Sequence, residues 1–91
     1  MSKTDQHREI CERLNRMYAA KNKDYGDSFG EGFQEYGLTM PAIRLDDKLS
    51  RFKQLIKQEA EVKDESIIDT LMDLANYSIM TIIELENKEE K

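Results

Sequence analysis

Hydrophobic residues recur at helical spacing along most of this chain, and no stretch shows the strict alternation of a strand. The pattern predicts three main helices: one from residue 4 or 5 to 22 with Thr4 as its N-cap, one at 41–58 and one at 64–86. Pro41 suits the first turn of the second helix. We therefore expect a single all-α domain over residues 1–86, followed by a frayed charged tail at 87–91.

The segment between the first two predicted helices, residues 23–37, contains all four glycines of the chain. Glycine permits the positive φ angles that other residues avoid, which indicates an irregular backbone. The same segment has aromatic residues at spacings of four, four and three, and this favours either a short helical turn around 28–35 or a loop folded over the core. These aromatic residues either fill the core or stack on a nucleobase. They are Tyr25, Phe29, Phe33 and Tyr36.

Length and composition exclude several classes of protein. A chain of 91 residues has a thin core, and oligomerisation is a common remedy. One cysteine and one histidine exclude an internal disulfide and a structural zinc site. Neither a signal peptide nor a membrane-spanning segment is expected, so the sequence predicts a cytoplasmic protein. The net charge of −5 argues against general nucleic-acid binding, although a small anion remains possible in a local basic pocket.

The third predicted helix is apolar nearly all round, apart from an acidic wedge formed by Glu65, Asp69 and Asp73. At about 100° per residue, these carboxylates span about 80° of the helix surface, and Asn76 falls among them. A helix that is otherwise apolar is normally buried, so we expect the wedge to lie in a partly enclosed place. Because buried like charges at this spacing destabilise a fold, something must compensate them.

Three kinds of compensation are open: cationic side chains, a divalent metal ion, or partial exposure to water. The cationic candidate is a basic stripe on the second helix, formed by Arg44, Lys48 and Arg51 within about 60° of one another. If the stripe pairs with the wedge, the network is purely structural. If the wedge binds Mg²⁺ instead, the stripe is free to bind phosphate oxygens. Spacing alone does not separate these two interpretations.

Three motifs in order resemble the nucleotide modification associated domain family, a group of small helical domains common in bacteriophage genomes. The resemblance covers residues 21–83, and the family is distantly similar to the MazG-like all-α nucleotide pyrophosphohydrolases. The motifs are Lys23-Asp24-Tyr25-Gly26, Arg44-Leu45-x-Asp47-Lys48-x-x-Arg51 and Glu65-Ser66-x-x-Asp69-Thr70-Leu71-x-Asp73-Leu74-Ala75-Asn76-Tyr77.

The resemblance implies a nucleotide ligand, Mg²⁺ as cofactor, and a homo-oligomer (dimer or tetramer) built as a helical bundle. Together with the residue patterns it predicts catalytic roles for Asp69 and Asp73. The predicted metal ligands are Asp47, Glu65, Asp69 and Asp73. The predicted nucleotide or phosphate ligands are Lys23, Tyr25, Arg44, Lys48, Arg51 and Asn76.

The chain departs from the MazG-like pattern on its second predicted helix. Those enzymes carry paired glutamates there, whereas this helix reads AIRLDDKLSRFKQL, with Asp46 and Asp47 among basic residues. Because these metal-binding glutamates are absent, the resemblance supports nucleotide binding more directly than it supports hydrolysis. Three functions stay open: a MazG-like hydrolase, a non-enzymatic binder that sequesters a nucleotide signal of host defence, and an accessory or assembly subunit in the bacterial host cell.

Two further residues, His7 and Cys11, are not expected to have a catalytic role. His7 lies near the chain start, where a surface position is expected. Cys11 lies beside the apolar stripe of the first helix, where cysteine acts as a small hydrophobe. No Ser-His-Asp arrangement is supported.

Overall fold

The computed structural model describes residues 1–57 and 60–89, but not the side chains of residues 24, 25, 60–66 and 89. The chain forms four helices, and the described residues include no strand, so the predicted all-α class is confirmed. The helices are α1 (Lys3–Tyr25), α2 (Ser28–Tyr36), α3 (Thr39–Leu55) and α4 (Ala60–Glu89).

Short polar side chains and glycines set the helix ends. The Ser2 hydroxyl accepts a hydrogen bond from the Asp5 amide at 3.1 Å, so α1 begins two residues closer to the N-terminus than a Thr4 cap predicts. The Asp27 carboxylate caps α2 by accepting from the Gly30 amide at 3.2 Å. α1 and α2 end at Gly26 and Gly37, whose φ angles of 67° and 64° favour glycine.

The count of three main helices is not confirmed, because residues 28–36 form a regular helix of nine residues. The predicted helical turn at 28–35 lies within it. Two of its glycines allow close packing: a Cβ at Gly30 would overlap the Asp27 carboxylate, and one at Gly32 would lie 3.2 Å from the Met40 Cε. Glycine here permits close approach to neighbouring groups and does not break the helix.

The core lies where α3 packs along α4, the most extensive contact between described helices. Leu55 of α3 and Met72 of α4 are buried there, and Leu14 of α1 and Phe33 of α2 are buried beside the other helices. α4 begins four residues before its predicted start and ends three after its predicted end. The tail predicted to be frayed is helical through Glu89, and residues 58, 90 and 91 lie outside the described range.

Within residues 1–57 and 60–89, no helix combines the length and the apolar character that crossing a membrane requires.

Candidate functional site

Asp73 of the acidic wedge is held between two lysines from different helices. Its Oδ2 lies 3.0 Å from the Lys48 Nζ of α3, and its Oδ1 lies 3.5 Å from the Lys21 Nζ of α1. The Asp73 side chain is 27% exposed and that of Lys48 32%, so this ion pair is shielded more than a typical surface pair. Cationic side chains therefore compensate this member of the wedge.

The other carboxylates of the wedge are placed differently. Asp69 is exposed, and no ion pair involves it among the described side chains. The prediction of an enclosed wedge is therefore right for Asp73 and wrong for Asp69, because no described helix covers the surface around Asp69. Glu65 was predicted as a metal ligand, and its side chain lies outside the described residues.

The described carboxylates do not form a ready metal cage. No group of three or more Asp, Glu, His or Cys side chains in the described part of the chain is close enough to hold a metal ion. Mg²⁺ often binds through one or two carboxylates plus substrate phosphates. Such a minimal set could come from Asp69 and Asp73, so a Mg²⁺ site stays a prediction.

Asn76, also on the wedge, has a protein partner. Its Nδ2 donates a hydrogen bond to the Leu14 carbonyl oxygen at 3.2 Å, joining α4 to α1. Asn76 is part-buried, and an amide withdrawn from water needs a hydrogen-bond partner, which the facing helix supplies here. This contact accounts for the position of Asn76 without a ligand. Asn76 also lines a cleft between the four helices.

That cleft has an aromatic compartment of about 340 Å³ to which all four helices contribute. The rings of Phe29 and Tyr77 stack in its wall, with centroids 6.0 Å apart and planes inclined by 20°. Asp73 and Lys21 also line this compartment, so its surface combines flat apolar rings with charge. Other lining residues are Tyr18, Met40, Arg44 and Met80.

A second, cationic compartment of about 310 Å³ is lined by the whole basic stripe. Arg44 and Tyr77 line both compartments, so the two adjoin at these side chains. The remaining lining residues of the cationic compartment are Asp47, Lys48, Arg51 and Thr70. A compartment with aromatic walls thus adjoins a compartment rich in cations.

The structure brings together most of the predicted site residues. Lys23 is exposed and lines neither compartment, while the side chain of Tyr25 lies outside the described residues. Asp69 also lines neither compartment. The predicted site residues that line the cleft are Arg44, Asp47, Lys48, Arg51, Asp73 and Asn76.

Sequence reasoning named Phe29 as a possible stacking residue, but it did not foresee that Phe29 stacks on Tyr77 or that Lys21 pairs with Asp73. Lys21 lies two helical turns after Leu14, the buried residue of α1, and this spacing places it on the inner face of α1. Tyr77 lies one turn after Asp73 and shares its face of α4. Both spacings can be read from the sequence. They predict a shared site only once it is known that these faces of α1 and α4 pack against each other.

His7 and Cys11 form a contact that the sequence analysis did not anticipate. The Cys11 Sγ lies 3.7 Å from the His7 Nδ1 across one turn of α1. Both residues are exposed, so the expectation for His7 is confirmed, whereas Cys11 is not a core residue. Neither His7 nor Cys11 lines either compartment of the cleft.

The family described as Nucleotide modification associated domain 1 matches residues 21–85. The chain belongs to this family. The match agrees closely with the range of the three motifs, and the predicted resemblance is confirmed. No curated protein and no solved structure matches the chain significantly.

The family match covers α2, α3 and most of α4 of this nucleotide modification associated domain. It therefore includes both residues shared by the two compartments, Arg44 and Tyr77, as well as all three members of the Lys21–Asp73–Lys48 cluster. Most of α1, including Leu14 and Tyr18, lies before the matched range. The similarity to MazG-like hydrolases stays a prediction.

Proposed function

We propose that this protein binds a nucleoside phosphate in the cleft formed by the aromatic and cationic compartments. One observation carries the proposal: the two compartments share Arg44 and Tyr77, so one ligand can occupy both. A phosphorylated nucleoside joins a flat apolar ring to an anionic group, and these two chemistries match the two compartments. The nucleotide-related family description agrees with this ligand class.

The aromatic compartment suits a nucleobase. Its volume of about 340 Å³ lies within the range of small-molecule sites, roughly 300–1,000 Å³. Aromatic rings in its wall offer a stacking surface for any base. Phe29 and Tyr77 support each other through their own stacking, so this surface is preorganised before a ligand arrives.

The cationic compartment suits phosphate. Arg44 and Arg51 are exposed, and neither has an ion pair among the described residues, so both guanidinium groups are available to phosphate oxygens. Asp47 and Asp73 offset part of the positive charge. The result is a small basic site on a chain of net charge −5, which favours a compact anion over a long nucleic-acid backbone.

Hydrolysis is the more specific form of the proposal. In a MazG-like, Mg²⁺-dependent pyrophosphohydrolase, the predicted ligands Asp47, Glu65, Asp69 and Asp73 would hold the metal, and the metal would neutralise phosphate charge. The alternative is a non-enzymatic binder that sequesters a nucleotide signal or serves as an accessory subunit. One observation favours it: Asp73 already has two lysine partners, so its charge is compensated without a metal.

The setting proposed for either function is the cytoplasm of a phage-infected bacterial cell. The protein would work as a homo-oligomer, a dimer or tetramer, because a chain with so few buried apolar residues gains stability from association.

A turnover assay separates enzyme from binder. Incubation with each nucleoside triphosphate and Mg²⁺ is expected to release pyrophosphate if the protein is a hydrolase, and chelation of the metal should stop the reaction. Asp69→Ala should then abolish product formation, because the hydrolase proposal makes Asp69 a metal ligand, whereas this exposed carboxylate lines neither compartment and has no other part in the proposed site. Calorimetric titration of the same nucleotides, with and without Mg²⁺, measures binding independently of turnover. No affinity for any nucleotide at millimolar concentration would contradict the proposal as a whole.

The variant Asp73→Asn distinguishes the two roles of this residue. In a binder, the change leaves Lys48 free for phosphate and removes a nearby negative charge, so affinity should rise by roughly fivefold, equivalent to about 1 kcal/mol. In a hydrolase, the same change should eliminate turnover. Asp46→Asn is the matched control, because Asp46 is an exposed aspartate of α3 that lines neither compartment. Equal effects of the two substitutions would show that Asp73 has no special part in the site.

A further inference from the structure

α4 leaves a row of large apolar side chains exposed on the face turned away from α3. Ile68, Leu71, Ile79 and Ile82 are 54%, 40%, 44% and 53% exposed, respectively. At about 100° per residue they lie within roughly 80° of one another, with Ala75 in the middle of the row. We call these five residues the α4 face. A continuous apolar surface of this kind marks an interaction site.

The α4 face is symmetric along the helix. Leu71 and Ile79 lie four residues before and after Ala75, and Ile68 and Ile82 lie seven before and after it. Reversing the direction of the helix therefore reproduces the same pattern of large and small side chains. A two-fold symmetric interface is self-complementary in this way, because residue i of one subunit contacts residue j of the other while j contacts i.

The surface of the isolated chain also indicates a missing partner. Its accessible area is 7191 Å², whereas a compact monomer of 10.7 kDa has about 5,500 Å². Its radius of gyration is 14.9 Å, whereas about 12 Å is expected for 91 residues. The excess of roughly 1,700 Å² exceeds the 800 Å² or so that each subunit buries in a standard interface. A second copy has room to bury a full interface.

We propose that α4 packs antiparallel against α4 of a second copy, with Ala75 at the two-fold axis. Leu71 then packs against Ile79 of the partner subunit, and Ile68 packs against Ile82 of the partner subunit. The small alanine side chain lets the two helix backbones approach at their crossing point. Antiparallel alignment also opposes the two helix dipoles, which a parallel pair would align. This interface does not depend on the proposed nucleotide ligand, since the cleft lies on other faces of the helices.

The first test is the mass of the purified protein in solution. Sedimentation equilibrium at about 50 µM, well above the Kd of a stable dimer, should give at least twice the chain mass of 10.7 kDa. Ile79→Glu should shift the mass to that of the monomer, because a charge would be buried in the interface. The matched control is Ile43→Glu, which changes an exposed isoleucine of α3 and should leave the mass unchanged. Circular dichroism of both variants checks that the helices remain folded. A monomeric wild-type protein would overturn the proposal.

The second test determines the register. In a Cys11→Ser background, A75C should form an intersubunit disulfide on mild oxidation, whereas A42C, an exposed alanine position on α3, should not. L71C mixed with I79C should cross-link to the heterodimer, and L71C alone should not. Cross-linking by L71C alone, without A75C, would indicate a different helix pairing and would overturn the antiparallel register. Neither readout involves nucleotide, so failure of the interface is distinguishable from failure of the nucleotide site.

Discussion

Replacing Arg44 with alanine should weaken nucleotide binding by about 10- to 100-fold, since a hydrogen bond to a charged group contributes about 1.5–3 kcal/mol. Arg44 lines both compartments and lies where the sugar of a bound nucleoside phosphate would pass from one to the other. Its guanidinium can therefore contact phosphate while its stem packs against the nucleoside. Isothermal titration with a nucleotide that the wild-type protein binds measures the loss.

The matched control for this prediction is Arg16→Ala. Arg16 is an exposed arginine of α1 that lines neither compartment, so its removal should change affinity less than twofold. Because both arginines are exposed, both variants should have the same urea midpoint of unfolding as the wild-type protein. Equal losses of affinity in the two variants would indicate diffuse electrostatic attraction in place of a defined site. Arg51→Ala should give a smaller loss than Arg44→Ala, because Arg51 lines the cationic compartment alone.

Replacing Leu55 with alanine should lower the free energy of unfolding by about 2–5 kcal/mol. Leu55 is 1% exposed and lies at the end of α3, in the core that joins α3 to α4. Truncation leaves a cavity in a core that has few other buried apolar side chains, so little surrounding structure can collapse to fill it. The loss is large compared with the typical stability of a small domain, about 5–15 kcal/mol.

Urea unfolding followed by circular dichroism checks the prediction, with Leu49→Ala as the control. Leu49 is a leucine of the same helix that is 40% exposed, so its truncation should cost clearly less than that of Leu55. All samples should be compared at one protein concentration, because dimerisation would make the unfolding midpoint concentration-dependent. A Leu49 variant as unstable as the Leu55 variant would place the centre of the core elsewhere on α3.

Much of the helical architecture was predictable because its causes are local. The 3.6-residue periodicity of apolar side chains, the lack of proline inside the long segments and the first-turn position of Pro41 indicated α1, α3 and α4 within a few residues at most ends. The glycine-rich stretch was harder. Four glycines predicted irregular backbone, yet Asp27 caps a regular helix there and two of the glycines serve close packing.

The candidate site was predictable in its residue types and less so in its arrangement. The spacing of Arg44, Lys48 and Arg51 placed them on one face, and they do line one compartment. The spacing of Asp69 and Asp73 also placed them on one face of the helix. In the structure Asp69 is exposed, whereas Asp73 forms ion pairs with Lys21 and Lys48. Which carboxylate is covered depends on where α1 and α3 cross α4, and no local pattern encodes that crossing.

By itself, the sequence determined the helical class, the family membership of residues 21–85, the basic stripe and the apolar character of α4. The tertiary structure alone decided that Lys21 reaches Asp73, that Asn76 bonds to α1, that Phe29 stacks on Tyr77, and which side of α4 stays exposed. The physical reason is the sequence separation over which the interactions act. Helix formation and amphipathic faces follow from residues three or four apart, whereas these contacts join residues up to 62 positions apart and depend on how whole helices pack.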